Sequence, residues 1–352
     1  MNKDGNRADE VSDAGGKGPL AYRRLVRGNQ KALRAANSAS TQYAGCSGAG
    51  ARILLAIVMI AVLASGTFLR NRVWRNSVRL WEDVVEKSPT KARPHYQIGF
   101  YYDRKERLNE AMREYQTALR LGPDPLSDRA HNNLGNIYGK QGRYGEAIRE
   151  FMAILADNPS DSAAHTNLGI IYAKQGRSDE ALREFQAATQ SDPKDAAAHY
   201  AFGNAYQEQG RLDEAMREYH AALQLRSDYA DAHNNLGLLY AEQGRFAEAI
   251  QEFQAAINNQ PESAEAYNNL GIVLAEQGHY DEAIHSFQLA LLRGPENAEV
   301  HKNIGIVYVR QGHPEDAIRE FQTALRIDPG HAGVRSYLEN AYKELRSDRS
   351  IK

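Results

Sequence analysis

The chain has 352 residues, 42% of them hydrophobic and 25% charged, and a formal net charge of -2; a balance this close to neutral argues against a nucleic-acid binder, which carries a basic excess. Its single cysteine, Cys46, excludes an intramolecular disulfide framework and a multi-cysteine metal site. The N-x-S/T glycan acceptor is also missing, because Asn158-Pro159-Ser160 has proline in the middle.

Residues 1–51 are rich in Gly, Ala, Ser, Asn and charge, without a sustained apolar period, and read as a disordered tail. Within them Ala21–Arg34, "AYRRLVRGNQKALR", carries five basic residues. It reads as a solvated basic stretch, with contact to anionic lipid as the alternative. Residues 52–70 enclose "ILLAIVMIAVLASGTFL", Ile53 to Leu69, 17 residues without a charge. That is the short end of what a membrane-spanning helix needs. Arg52 precedes it, Arg70, Arg72, Arg75 and Arg79 follow, and Trp74 sits at headgroup depth. A retained single transmembrane helix is the expectation. The competing readings are a cleaved leader, for which Val62-Leu63-Ala64 would suit the cut, and a buried core helix.

Residues 71–91 contain "NSVRLWEDVVEKSP", which reads as the second helix of a half repeat, with Trp81 and Pro89 in register with the columns that follow. Residues 92–330 hold seven units, with a period of 34 after one two-residue insertion. Glycine recurs in the first helix at Gly99, Gly135, Gly169, Gly203, Gly237, Gly271 and Gly305, and alanine follows at Ala111, Ala147, Ala181, Ala215, Ala249, Ala283 and Ala317. An aromatic comes next, at Tyr115, Phe151, Phe185, Tyr219, Phe253, Phe287 and Phe321. Small residues let antiparallel helices approach where they cross, and the aromatic fills the space beside that contact. A second glycine, as at Gly142 or Gly176, ends each first helix, and proline closes most units, with Ser227 the exception. Glu106 replaces the turning glycine and Ile154 a small residue. The first turn is therefore expected to be looser and the second crossing wider. Residues 331–347 follow as a capping helix, "VRSYLENAYKELRS", with one apolar face.

These columns resemble the tetratricopeptide repeat family, a 34-residue helix–turn–helix unit with this L-G, Y, A, F, A, P pattern. The resemblance implies an all-α fold, a right-handed superhelical solenoid, here preceded by one N-terminal transmembrane helix. The join "RNRVWRNSVRLWEDVVEKSPTKARPHYQIG" also resembles, more weakly, the one in repeat-bearing membrane O-mannosyltransferases and their bacterial relatives. Their many-helix catalytic part has no counterpart here, so glycosyl transfer does not carry over.

Six histidines share one repeat position, His95, His131, His165, His199, His233 and His301, with Tyr267 completing the column. Equivalent residues of stacked helices stand roughly 10 Å apart, too far to share a metal that binds nitrogen at about 2 Å. Imidazole is expected to pack between helices instead. "GGKGPL" lacks the spacing of a phosphate loop, and neither H-E-x-x-H nor G-x-S-x-G occurs. O-linked N-acetylglucosamine transferases begin with similar repeats, but the 22 residues after the last unit hold no catalytic domain. The expectation is a non-enzyme with no catalytic residues, no metal, no cofactor and no small-molecule substrate.

The resemblance further implies that the second, sixth, ninth and thirteenth positions of each first helix face a concave groove. The sixth reads Gln97, Asn133, Asn167, Ala201, Asn235, Asn269 and Asn303. It is similar to the asparagine ladder of those transferases, which holds an extended peptide by its backbone, as a carboxamide can both donate and accept. The alternative is that these asparagines bridge adjacent repeats. The second position gives Arg93 and Arg129 early, then Asp231, Glu265 and Glu299; the thirteenth gives Arg104, Lys140 and Lys174, then Glu208, Glu242 and Glu276, and finally Arg310. The groove is thus expected to be basic in repeats one to three and acidic in four to six, suiting an extended partner of opposite polarity. Chaperone-binding members place Lys or Arg at the sixth position of a late repeat, and this chain has none there.

The sequence therefore reads as a membrane-anchored scaffold that binds extended protein segments and organises an assembly. A non-catalytic accessory of repeat-bearing membrane glycosyltransferases is the alternative. Repeats outside the cytoplasm are favoured by the nine basic residues up to Arg52, while the four arginines after the span favour the opposite.

Overall fold

The computed structural model describes residues 77–351. The tail expected over 1–51 and the anchor expected over 52–70 lie outside the described residues. Those described form sixteen helices and no strand, and none of the helices is long and apolar enough to cross a membrane. They fall into two compact units, the first ending at Ile137 and the second beginning at Tyr138.

In the first unit α1 (Ser77–Lys87) packs on α2 (Ala92–Arg104), and α2 on α3 (Leu108–Arg120); α4 (Ser127–Lys140) begins here. The reason for Gly99 is visible at the α2–α3 crossing. A methyl group built on it would lie 2.9 Å from the Tyr115 ring, which is itself wholly buried. The ring does not merely fill space beside the small residues: it lies on the glycine.

The second unit repeats that device. After α5 (Tyr144–Asp157) come the pairs α6 (Ser162–Lys174) with α7 (Ser178–Ser191), α8 (Ala196–Glu208) with α9 (Leu212–Leu225), and α10 (Ala230–Glu242) with α11 (Phe246–Asn259). Then follow α12 (Ala264–Glu276) with α13 (Tyr280–Arg293), and α14 (Ala298–Arg310) with α15 (Pro314–Ile327). A Cβ added at Gly169, Gly203, Gly237, Gly271 or Gly305 would stand 2.5–2.7 Å from the ring of Phe185, Tyr219, Phe253, Phe287 or Phe321. Burying each ring contributes roughly 1.5–3 kcal/mol.

Each first helix stops at a left-handed glycine, with φ of 71–80° from Gly142 to Gly312. Glu106 corrects an expectation. It takes φ 57°, and Arg107 N still donates to Tyr102 O at 2.9 Å, the same bond and length as Arg177 N to Tyr172 O. The first turn is not looser; a glutamate is held in the shape the others reach with glycine. In the second unit the residue before the closing proline leaves the helix with an extended φ: Asn158, Asp192 and Gln260 have φ of -132°, -133° and -135°. Arg226 has φ -140° although Ser227 follows it, so the turn survives without the ring. Asp161, Asp195, Ser263 and Asn297 then cap the next first helices by accepting from backbone N–H groups. Ile154 is as buried as the alanines of its column, 2% exposed.

The last helix, α16 (Ala332–Ile351), covers the apolar face left by α15. Val334 and Ala341 are fully buried in a cluster with Phe321 and Ala324, and Tyr337 stacks on Phe321 at 5.8 Å. Within this unit first helices touch their neighbours, α6 with α8, α10 with α12 and α12 with α14, whereas successive second helices make no comparable contact. The first helices therefore lie on the tighter, inner side.

Candidate functional site

The inner face is stitched by amides. Asn235 Nδ2 donates to Asn204 Oδ1 at 2.9 Å and also reaches the Tyr219 hydroxyl at 3.3 Å. Asn269 Nδ2 donates to Asn234 Oδ1 at 3.0 Å, Asn234 Nδ2 to Glu265 Oε1 at 3.1 Å, and Asn303 Nδ2 to Asn268 Oδ1 at 3.0 Å. The amide-to-amide and amide-to-carboxylate bonds each cross from one first helix to the next. In the first unit Asn133 Nδ2 donates to the Tyr115 hydroxyl at 3.0 Å. Asn269 is only 9% exposed and Asn234 8%. Asn167 occupies the same position and is also engaged. Burial pushes the Tyr115 and Tyr219 phenols well above their ordinary range, which keeps both hydroxyls neutral partners in this network.

The charged positions stand at the exposed ends of the same helices. In the first unit Arg104 is exposed at the end of α2. In the second, Lys140, Lys174, Glu208 and Glu242 end α4, α6, α8 and α10, all exposed. Glu276 differs: Arg310 Nη2 holds it at 2.7 Å, and Arg310 Nη1 donates to Ala275 O at 3.2 Å. Glu299 is also engaged, by Lys302 and by His331 Nε2 at 3.0 Å. Burial alone would raise its carboxyl, but those two hydrogen bonds outweigh burial and hold it below the ordinary value. It lines an open cleft of about 750 Å³ with Asn297, Asp328 and His331.

Two columns stand out in the structure that the motif reading passed over. First, five histidines of the column are clasps as well as packing groups. Nδ1 of His95, His165, His199, His233 and His301 lies 2.6–2.7 Å from the carboxylate of Glu114, Glu184, Glu218, Glu252 and Glu320, 19 residues on in the paired helix. Nε2 of His165, His199 and His233 also meets the carbonyl of Pro159, Pro193 or Ser227, at 3.1–3.3 Å. The signal was in the spacing: where Tyr267 replaces histidine, Ser286 replaces the glutamate. Second, the arginine after each of the first five turns stacks on a tyrosine, as Arg177 does on Tyr172 and Arg211 on Tyr206 at 4.3–4.4 Å, while the guanidiniums of these two bind Glu180 and Glu214 at 2.8 Å. Both columns fasten a first helix to its second. Among the described residues no group of three or more His, Cys, Asp or Glu is placed to hold a metal ion.

Profiles described as TPR repeat or tetratricopeptide repeat match residues 101–142 and 203–244, 132–196, 172–221, and 228–292 with 262–329. Together they run unbroken over more than half of the chain, and the chain belongs to the tetratricopeptide repeat family. A comparison with curated proteins finds no match. Among solved structures, the anaphase-promoting complex hetero-tetramer Cut9–Hcn1 is similar at 20% identity and a TM-score of 0.58, over 87% of this chain and 59% of that one. PilF of Pseudomonas aeruginosa matches at 21% identity and TM-score 0.54, over 63% of this chain and 97% of that chain. YrrB, described as a TPR protein with an unusual peptide-binding site, gives 24% and 0.47, over 55% and 97%. These likenesses concern the fold.

Proposed function

We propose that this chain is a non-catalytic, membrane-anchored scaffold that holds extended protein segments along its first helices and so organises a protein assembly. One observation carries the reading. The exposed ends of α4, α6, α8 and α10 present Lys140, Lys174, Glu208 and Glu242 in order, with no ion-pair partner among the described residues. Unpaired charges that change sign along one face suit a segment of opposite polarity, acidic toward the lysines and basic toward the glutamates. Arg104 and Asn133 belong to the same surface positions in the first unit. The asparagines act here as the rigid frame of the face, since their bonds link neighbouring first helices.

The anchor reading rests on residues 52–70, and the repeats are placed outside the cytoplasm on the basic residues that precede the span. The accessory reading rests on the join after the span alone. A photo-crosslinking residue at Glu242, on the inner face, and another at the exposed Gln254, on a second helix, test the proposal in cells. The expected outcome is a defined partner crosslinked from position 242 only, sedimenting with membranes. Equal crosslinking from both positions, or a soluble product, would contradict it.

A further inference from the structure

The thirteenth position breaks a local rule in the middle of the second unit. The carbonyl end of a helix carries partial negative charge, so a cation there is stabilising and an anion destabilising, by about 0.3–1 kcal/mol. Lys140, Lys174 and Arg310 end α4, α6 and α14 in keeping with this. Glu208, Glu242 and Glu276 end α8, α10 and α12 against it. Arg310 relieves Glu276, and nothing among the described residues relieves Glu208 or Glu242. One turn earlier on the same helical face, α10 carries Leu238, half-buried, and α12 carries Ile272, a large apolar side chain left 39% exposed. Asp231 adds a third exposed acid at the start of α10.

We infer that the ends of α8 and α10, with Leu238 and Ile272 beside them, form one docking site for a protein segment that brings two cationic side chains and an apolar one. The inference rests on the scaffold reading and names the chemistry of its partner. The two carboxylates stand one repeat apart, roughly 10 Å by the spacing of packed helices. An extended strand rises about 3.3 Å per residue. Lysine or arginine three residues apart therefore reach Glu208 and Glu242 together, and an apolar side chain just beyond the second cation comes over Leu238 and Ile272. Each cation also meets the exposed carbonyl end of a helix, so the site is more negative than its carboxylates alone. The asparagine network is already bonded between helices, which leaves selection to these side chains.

The test uses the full chain and a library of short random peptides, followed by affinity measurements on the enriched sequences. Enriched peptides are expected to carry Lys or Arg at i and i+3 with Leu, Ile or Phe flanking the pair, and to bind more weakly as salt rises. Ile272→Glu should weaken them about tenfold, the loss of one buried apolar side chain. The paired variant Glu208→Lys/Glu242→Lys should weaken them roughly tenfold too, yet raise the unfolding midpoint of the free protein, because it restores the favourable sign at two helix ends. Acidic enriched peptides, or basic ones indifferent to these substitutions, would overturn the inference. If such peptides were instead lost on reversing Lys140 and Lys174, the scaffold reading would stand without it. No enrichment at all would count against both.

Discussion

Glu106 shows how strongly the repeat dictates its own turns. Six turns place glycine at φ 71–80° and this one places an exposed glutamate at 57°. A side chain in the left-handed region costs roughly 1–2 kcal/mol, and part of that is offset because glycine is freer in the unfolded chain. Glu106→Gly should thus stabilise the first unit by about 1 kcal/mol, read as a higher urea midpoint at unchanged slope. An unchanged midpoint would mean that the position bears no strain. Reading the substitution as a looser turn failed because the Arg107-to-Tyr102 hydrogen bond and the packing of α2 on α3 set the backbone, and the residue conforms. Ser227 teaches the same: the chain stays extended before it without a proline.

At the scale of the helical pair, the columns of glycine, alanine and aromatic were legible because each is one residue type at a fixed interval. The clasps were not, because they join two residue types across 19 positions, and an imidazole in an aromatic column looks like packing. They have a consequence for pH. His233 donates from Nδ1 toward Glu252, and its Nε2 faces the Ser227 carbonyl at 3.1 Å. Both neighbours are acceptors, so the doubly protonated ring fits best, and the hydrogen bond to Glu252 raises its value above the ordinary 6.5. The sign follows: the clasp contributes fully below the unfolded value and is lost as pH rises through the raised folded one. His233→Gln should lower stability by roughly 1–2 kcal/mol near pH 6, and the gap to the unsubstituted chain should narrow as pH rises above the ordinary histidine value. Denaturant unfolding of both proteins across that range checks it; a gap that widens with pH would contradict the assignment.

For the molecule as a whole, fold and function were legible to different depths. The repeat of 34 residues specified paired helices because every unit buries the same stripe, and α16 closes the last of them with Val334 and Ala341. The charged stripe could be read from residue type alone. Its pairing could not: that Arg310 engages Glu276 while Glu208 and Glu242 stay unpaired depends on where long side chains reach between repeats. The central claim is that the first-helix face, and no other, holds a partner. Helix ends exchange their amide hydrogens soonest, so occupancy of the thirteenth positions should be visible there. Hydrogen exchange of the full chain, with and without a peptide selected as above, is the direct measurement. The account predicts slowed exchange in the last turns of α8 and α10, with α9, α11 and α13 unchanged. Slowed exchange confined to those second helices would contradict it.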